Sequence, residues 1–400
     1  MALRIGINAL YLIPGGVGGT EIYLRHLLQA LHVVDDRNQY FVYVNKETDP
    51  ELVPRADSFH LVRCPVAARH RPLRIIYEQT VLPALLRKHR ISVVLNPGYT
   101  GPVAAPCPAV AVFHDLQHKV HPEFFRAAQL PFWIVLLWAA GRTSKRIIAV
   151  SPNTAADLSR YMPFAAAKIS IVPHGVDSTF AEIAKRRRLR PGRTETAGIT
   201  SGTKPFLLTV ATLHPHKNLD RLIQAFAGFH ATRPQYRLIV AGLRGFATTQ
   251  IETLIRNLHL TDCVELTGWI PRADLYNLFE HADGFVAPSL FEGFGLTLAE
   301  ALAAGIPTAC SNISVSDAVA GTIAVRFDPH SVAAIRDAMH KVTGDRAFRE
   351  LAQTAGPAQV RFLSWTRTAA LTLEQLVNAA RGTREDSGRT LSNAQSPPAR

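Results

Sequence analysis

The sequence predicts an α/β protein made of two doubly wound, Rossmann-like domains facing each other across a cleft. Three observations lead there. Short apolar, β-branched runs alternate with stretches of helical period, the alternation restarts midway along the chain, and the break between is filled by Lys185–Lys204, which is basic and then rich in Gly, Thr, Ser and Pro without apolar period. Strands that are apolar on both faces and separated by helices are the pattern of a parallel sheet covered on both sides.

In the first half, RIGINAL, YFVYVN, FHLVR, SVVLN, AVAVFHD, RIIAVS and ISIVPHGV read as strands, with helical period over Thr20–His32 and Arg74–His89. The apolar run LPFWIVLLWAAG (Leu130–Gly141) is too short to span a bilayer, which takes roughly 20 residues. It reads as a buried helix; an interfacial role stays open because its two tryptophans precede the basic stretch Arg142–Arg146. The second half restarts with PFLLTVAT and continues through RLIVAG, CVELTGW, GFVAPS and PTACS, with helices over Leu219–His230 and Thr248–His259. The expected organisation is an N-terminal domain over 1–184, a basic linker over 185–204 and a C-terminal domain over 205–362. A helix over 363–380 and a polar, proline-containing tail over 381–400, expected to be disordered, complete it.

Composition narrows the function. Four hundred residues, 47% hydrophobic and 19% charged, are those of a globular protein with more than one core. Four scattered cysteines have no metal-ligand spacing and read as small buried hydrophobes in a reducing compartment. The start MALRIGINALYLIPGG is interrupted by Arg4 and Asn8 and reads as a first buried strand rather than a signal peptide. A net charge of +13 points to an anionic partner, but the run KRRRLRPGR has no aromatic interleaving, and no zinc-finger, RNP-like or zipper pattern is present. Nucleic acid is therefore not the expected partner.

Ligands of doubly wound sheets sit at the carboxyl ends of the strands, so the chemistry is sought there. After the first strand, Gly15, Gly16, Gly18 and Gly19 precede a helix; they make either a tight turn or a close approach to a phosphate or sugar. AVAVFHD ends in His114 and Asp115, a titrating group and a carboxylate able to orient it, or a histidine bonded within a turn. Lys217 stands where VATLHPHKN turns into a helix, the position of a diphosphate ligand or of a surface lysine. In LFEGFGLTLAEALAAG, Glu292 precedes the turn Gly293–Phe294–Gly295 and Glu300 falls in the helix that starts near Leu296. Backbone N–H groups at that start, including Thr297, can hold an anion while the two carboxylates accept hydroxyls on either side of it. A sugar nucleotide has this layout; a hydrolase acid–base pair is the other reading.

At these residues the chain resembles glycosyltransferase family 4, retaining enzymes of the GT-B class. The fingerprint is E-x7-E, here EGFGLTLAE, followed by ALAAGIPTACSN. GGVGGTEIYLRHL, EQTVLPALL, VFHDLQHKVHPEFF, RIIAVSPNTAADL, ISIVPHGVD, TLHPHKNLDRLIQAF, LTGWIPRADLYNLF and VRFDP fall in family order. The resemblance implies that Glu292 lies near the donor hexose, Glu300 binds the ribose, and Lys217 contacts the diphosphate. It implies that the Phe294–Thr297 backbone holds sugar and phosphate, that Gly268, Trp269 and Ile270 border the nucleobase, and that the last helix crosses back to the N-terminal domain. His114 is implied near the reacting centre, and the Gly15–Gly19 loop near phosphate or acceptor. Two positions depart from the pattern. Ala211 and Thr212 stand where many members have Gly-Arg, and His216 replaces the arginine of T-L-x-P-R-K-N. The second phosphate cation is then open between a weaker site, a protonated His216, and Arg244 drawn from AGLRGF.

The expected activity is retaining transfer of a hexose from a nucleotide sugar, GDP-mannose favoured by the T-L-x-P-x-K-N branch, to a saccharide or lipid-linked acceptor in surface-polysaccharide assembly. No cofactor and no divalent metal are expected, since no D-x-D is present. A cytoplasmic location is expected, with peripheral contact to the inner face of the membrane. A nucleotide-sugar epimerase or hydrolase of the same architecture, or a non-catalytic anion-binding protein, are the alternatives.

Overall fold

Valine, isoleucine and leucine dominate strands that are buried along almost their whole length, as parallel strands covered on both faces must be. The computed structural model describes residues 2–125, 130–189 and 204–381. Most of the expected linker and nearly all of the expected tail lie outside the described residues. The described chain divides into two compact units, one taking the chain up to His174 together with the segment from Trp365 onward, the other Gly175–Ser364.

The first unit has strands β1 (Arg4–Ala9), β2 (Gln39–Val44), β3 (Phe59–Arg63), β4 (Val93–Asn96), β5 (Ala109–Phe113), β6 (Arg146–Ala149) and β7 (Ile169–Ile171). They form one parallel sheet in the order β3-β2-β1-β4-β5-β6-β7, with Ile5 opposite both Tyr40 and Val93. Helix Gly19–Val34 and the last helix, Trp365–Arg381, pack on one another, and the last helix lies against β4, β5 and β6. The second unit has β8 (Phe206–Val210), β9 (Arg237–Ala241), β10 (Val264–Gly268), β11 (Gly284–Ala287), β12 (Thr308–Ser311) and β13 (Val325–Phe327). Their order is β10-β9-β8-β11-β12-β13, again parallel. The order in which strands are added reverses at β1/β4 and at β8/β11, the two switch points where such sheets bind ligands.

Four expectations are corrected. The helical period over Arg74–His89 is two helices, Arg71–Thr80 and Leu82–Lys88, because Pro83 has no N–H to continue the ladder and instead takes the first turn of a new helix. The apolar run from Leu130 is a helix, Leu130–Thr143, but only Leu137, Ala140 and Gly141 are buried in it. His121 and Glu123, which in VHPEFF read as the start of a helix, instead cap and enter a short 3-10 turn, Pro122–Phe124. The start of the basic linker is ordered: Lys185–Leu189 ends a helix, Ser178–Leu189, that belongs to the second unit, so the first unit ends at His174 and not at 184. Its arginines are engaged. Arg187 donates to the carbonyls of Phe279, Glu280 and Ala282 at the end of helix Arg272–His281, Arg186 pairs with Glu280 at 2.7 Å, and Arg188 donates to the Gln353 carbonyl. Burial pushes Arg187 down to about 10.

Candidate active site

In the second unit the site is built where the loops after β8, β9 and β11 meet. Glycine makes the first junction possible. A Cβ on Gly242 would lie 2.1 Å from the Ala211 carbonyl oxygen, so only glycine lets the β9 loop approach the β8 loop this closely. Leu213 and Leu243 then pair through main chain, Leu213 N–H donating to the Leu243 carbonyl at 2.9 Å. The second junction is made by Asn218, fully buried and left-handed at φ 56°, the N-cap of helix Leu219–Thr232. Its Nδ2 donates to the carbonyls of Pro288 (3.0 Å) and Pro329 (2.8 Å), tying the β8 loop to those after β11 and β13. Leu290 N–H adds a 2.8 Å bond to the His216 carbonyl.

On this frame Lys217 and Glu292 are brought together. Lys217 Nζ lies 2.6 Å from Glu292 Oε1, and the Ser289 hydroxyl donates to the same oxygen at 2.7 Å. Gly295, at φ 80°, is the left-handed residue that opens helix Leu296–Ala303. The first bond of the helix runs from Ala299 N–H to the Gly295 carbonyl, so the N–H groups of Leu296, Thr297 and Leu298 precede the ladder. Phe294 is buried beneath the turn. Thr212, two residues past β8, is half-buried, and its carbonyl accepts from His214 N–H.

Glu300 sits one turn further along, 2% exposed. Its partner was not read from the sequence: Arg272 Nη2 lies 2.6 Å from Glu300 Oε1. Arg272 Nε donates to the Tyr276 hydroxyl at 3.1 Å, which in turn donates to Asp177, and the guanidinium lies over the Phe180 and Tyr276 rings. Burial holds the Glu300 carboxyl above its ordinary value, with Arg272 opposing. Burial works against the Arg272 charge too, but Glu300 and Tyr276 outweigh it and raise the guanidinium. The difference follows exposure: the arginine side chain is 26% exposed and the glutamate 3%.

Arg244 is directed elsewhere, its guanidinium paired at 2.7 Å with Glu252 of helix Thr248–Asn257. His216 stacks on His214, whose ring lies tilted against that of Phe246; burial, then Lys217, lowers the His214 imidazole. At the end of β10, Gly268 takes φ 70° at a bulge and Trp269 stands 60% exposed beside Ile270.

In the first unit, Gly15 and Gly18 are left-handed, and Gly18 caps helix Gly19–Val34. The Gly15 N–H donates to Glu21 Oε2 at 2.8 Å, and Glu21 also pairs with Arg25. Gly16 packs on Ile13, whereas a Cβ on Gly19 would meet open space. His114 is buried with both nitrogens engaged. Nε2 lies 2.9 Å from the Pro97 carbonyl, which can only accept, so Nε2 carries the proton. Nδ1 is then the acceptor for His174 Nε2–H at 3.2 Å. Burial lowers His114 to about 4 and His174 well below its ordinary value. Asp115 accepts from Gln117 N–H and is bonded to Tyr99, a residue at φ 70°. His174 was missed as a partner of His114; ISIVPHGV gave it no role beyond a strand end.

No helix among the described residues is long and apolar enough to cross a membrane. The description Glycosyltransferase Family 4 matches residues 17–180, and Glycosyl transferases group 1 matches 195–359, most of the chain between them. The chain is 28% identical over 266 residues to O-antigen chain mannosyltransferase B of Escherichia coli, covering 66% of this chain and 69% of that one. It is 30% identical over 291 residues to the serotype-specific mannosyltransferase WbdA of Escherichia coli, taking 70% of this chain but only 34% of that longer protein. In three dimensions it matches sucrose-phosphate synthase from Thermosynechococcus elongatus with a TM-score of 0.74 at 19% identity, over 95% of this chain and 99% of the other. The chain is a glycosyltransferase of the GT-B fold and belongs to family 4, group 1.

Proposed function

We propose that this transferase moves mannose from GDP-mannose to a saccharide or lipid-linked saccharide acceptor, with retention at the anomeric carbon, in surface-polysaccharide assembly. The observation that carries the donor half is the convergence, beside the β8/β11 crevice, of Lys217, Glu292, the first N–H groups of helix Leu296–Ala303, and Glu300 held by Arg272. A nucleotide sugar needs this set: carboxylates for neutral hydroxyls, a cation and a helix N-terminus for the diphosphate. The mannose donor is supported by the names of the two Escherichia coli relatives, both mannosyltransferases, and by TLHPHKN.

In this reading the sugar–phosphate bond breaks through an oxocarbenium-like transition state. Lys217 and the helix N-terminus stabilise the leaving diphosphate, which takes the proton of the acceptor hydroxyl on the same face. Glu292 lies by the hexose, Glu300 accepts ribose hydroxyls, and Trp269 borders the base. No cofactor and no divalent metal take part, because protein groups meet the phosphate charge. Thr212, His216 and Arg244 complete the donor surroundings, Arg244 only by leaving Glu252. In the first unit the Gly15–Gly19 loop, His114 and Asp115 serve the acceptor side. With both its nitrogens bonded, His114 acts there by holding the Pro97 carbonyl. A cytoplasmic place at the inner face of the membrane goes with a lipid-linked acceptor.

Calorimetry with GDP-mannose, UDP-glucose, UDP-galactose and UDP-N-acetylglucosamine tests the donor, and NMR of the product tests the anomeric configuration. Glu300→Ala should weaken the bound donor by about 1–3 kcal/mol, as for a charged hydrogen bond. A UDP-sugar as the tightest ligand, an inverted product, or loss of turnover on chelation would each overturn the corresponding part.

A further inference from the structure

A helix apolar on all sides normally lies in a core. Helix Leu130–Thr143 has no charged residue before Arg142, yet Phe132, Val135 and Trp138 are 50%, 63% and 49% exposed. At about 100° per residue these three form one stripe, opposite the buried Leu137, Ala140 and Gly141. Phe164, itself 39% exposed, extends the stripe, its ring 5.7 Å from that of Trp138. The carboxyl end is basic: Arg142 and Lys145 are exposed, and Lys168 Nζ donates to the Arg142 carbonyl at 2.9 Å. The same side of the sheet carries a second exposed pair. Ala109 belongs to the cluster under helix Leu82–Lys88, and Ala111 and Phe113 to the cluster under helix Leu130–Thr143. Alternation along β5 therefore puts both clusters on one face, where Leu73 and Ile76 are 61% and 58% exposed beside Arg71.

We propose that this face seats the protein on an anionic bilayer, with helix Leu130–Thr143 lying in the interface plane. Apolar and aromatic side chains enter the acyl boundary while lysine and arginine meet anionic headgroups. Fourteen residues are too few to span the bilayer. Charge argues against a second copy as occupant, since it would bring a further net +13. The chain's own segments 126–129, 190–203 and 382–400 are too polar to cover the stripe; together they hold one Ile and one Leu and no aromatic residue.

The test is co-sedimentation of the full chain with phosphatidylcholine vesicles, with and without phosphatidylglycerol, at low and high salt. Two variants are compared, Phe132→Ser/Trp138→Ser and Arg142→Glu/Lys145→Glu, with melting temperature and nucleotide-sugar binding as controls that should not change. Binding to the anionic vesicles, weakened by salt and reduced at least tenfold by each variant, is the expected result. No binding to either vesicle, binding indifferent to both variants, or a dimer in light scattering that the Phe132→Ser/Trp138→Ser variant dissociates would overturn it. The inference rests on the membrane placement proposed above; the assay contains no sugar donor, so its failure removes that placement and leaves the transfer reading standing.

Discussion

Replacing Arg272 by methionine isolates the electrostatics of the donor-side carboxylate. Glu300 is 2% exposed and 2.6 Å from its cation. Two charges whose centres are about 4 Å apart attract by about 4 kcal/mol at an effective dielectric of 20. The arginine side chain is 26% exposed, so solvent screening reduces the expected cost to about 3 kcal/mol at neutral pH. Lost contact with the Phe180 and Tyr276 rings is partly replaced by the methionine.

The sign of the pH dependence discriminates. Burial raises the folded Glu300 carboxyl above its ordinary value, and removing Arg272 raises it further. An acid whose folded pKa is raised keeps its stability below the unfolded pKa and loses it as pH rises through the folded one. The variant's deficit should therefore be small at pH 4 and reach its plateau above neutrality. Calorimetric melting is the assay, and 3 kcal/mol corresponds to about 6–12 °C for a unit of this size. Adding Glu300→Gln to Arg272→Met should recover more than half, because no unpaired charge is left. An equal deficit at pH 4 and pH 8, or no recovery in the double variant, would refute the reasoning and reduce Arg272 to a packing residue.

Other outcomes follow from the same geometry. Lys217→Met should lower kcat by about 10²–10³, the cost of losing one group that stabilises developing charge, with an unchanged melt showing that the loss is chemical. Asn218→Ala orphans two carbonyls and strains a left-handed residue, for about 3 kcal/mol in denaturant unfolding; Asn218→Gly should recover about 1 kcal/mol of it. His114, lowered to about 4 by burial, costs stability as pH falls from about 6.5 through 4, up to about 3 kcal/mol. A His114→Gln variant should show a flatter acid melting profile over that window.

The strands were legible because parallel sheets covered on both faces require unbroken apolar runs, and RIIA or FLLTV has no other use. The turn Gly293–Phe294–Gly295 was legible as a glycine turn that opens a helix, whereas the left-handed backbone of Asn218 was not. Periodicity carries no information about which neighbour arrives, and this is where reading stopped. Helix Leu130–Thr143 is as apolar as a core helix, and nothing in its own residues says that one stripe stays exposed. Lys185–Arg188 has a solvated composition, yet Arg187 is half-buried because the carbonyl end of another helix, 92 residues away, needs donors. Arg272 is 28 residues from Glu300 and reaches it only by packing between elements. Lys217 and Glu292 were each read as ligand residues, but their pairing with one another was not foreseen.

That pairing bears on the arginine missing at position 216. The loop after β8 is held by main-chain bonds from Leu213 and His216 and by the Asn218 amide. None of these uses the residue 216 side chain. A cation at 216 is therefore expected to act on ligand affinity more than on the frame that these bonds make, and Lys217 must divide its charge between Glu292 and any incoming phosphate. His216→Arg should supply the second charge and tighten nucleoside diphosphate binding by about 1.5–3 kcal/mol, tenfold or more, with little change in melting temperature. Calorimetry with GDP and UDP reads the first, a thermal melt the second. If affinity stays put, phosphate does not pass within reach of position 216. If the melt drops instead, the ring contacts that run from His216 through His214 to Phe246 support the loop after all, and the separation of frame from ligand cation drawn from these bonds is wrong.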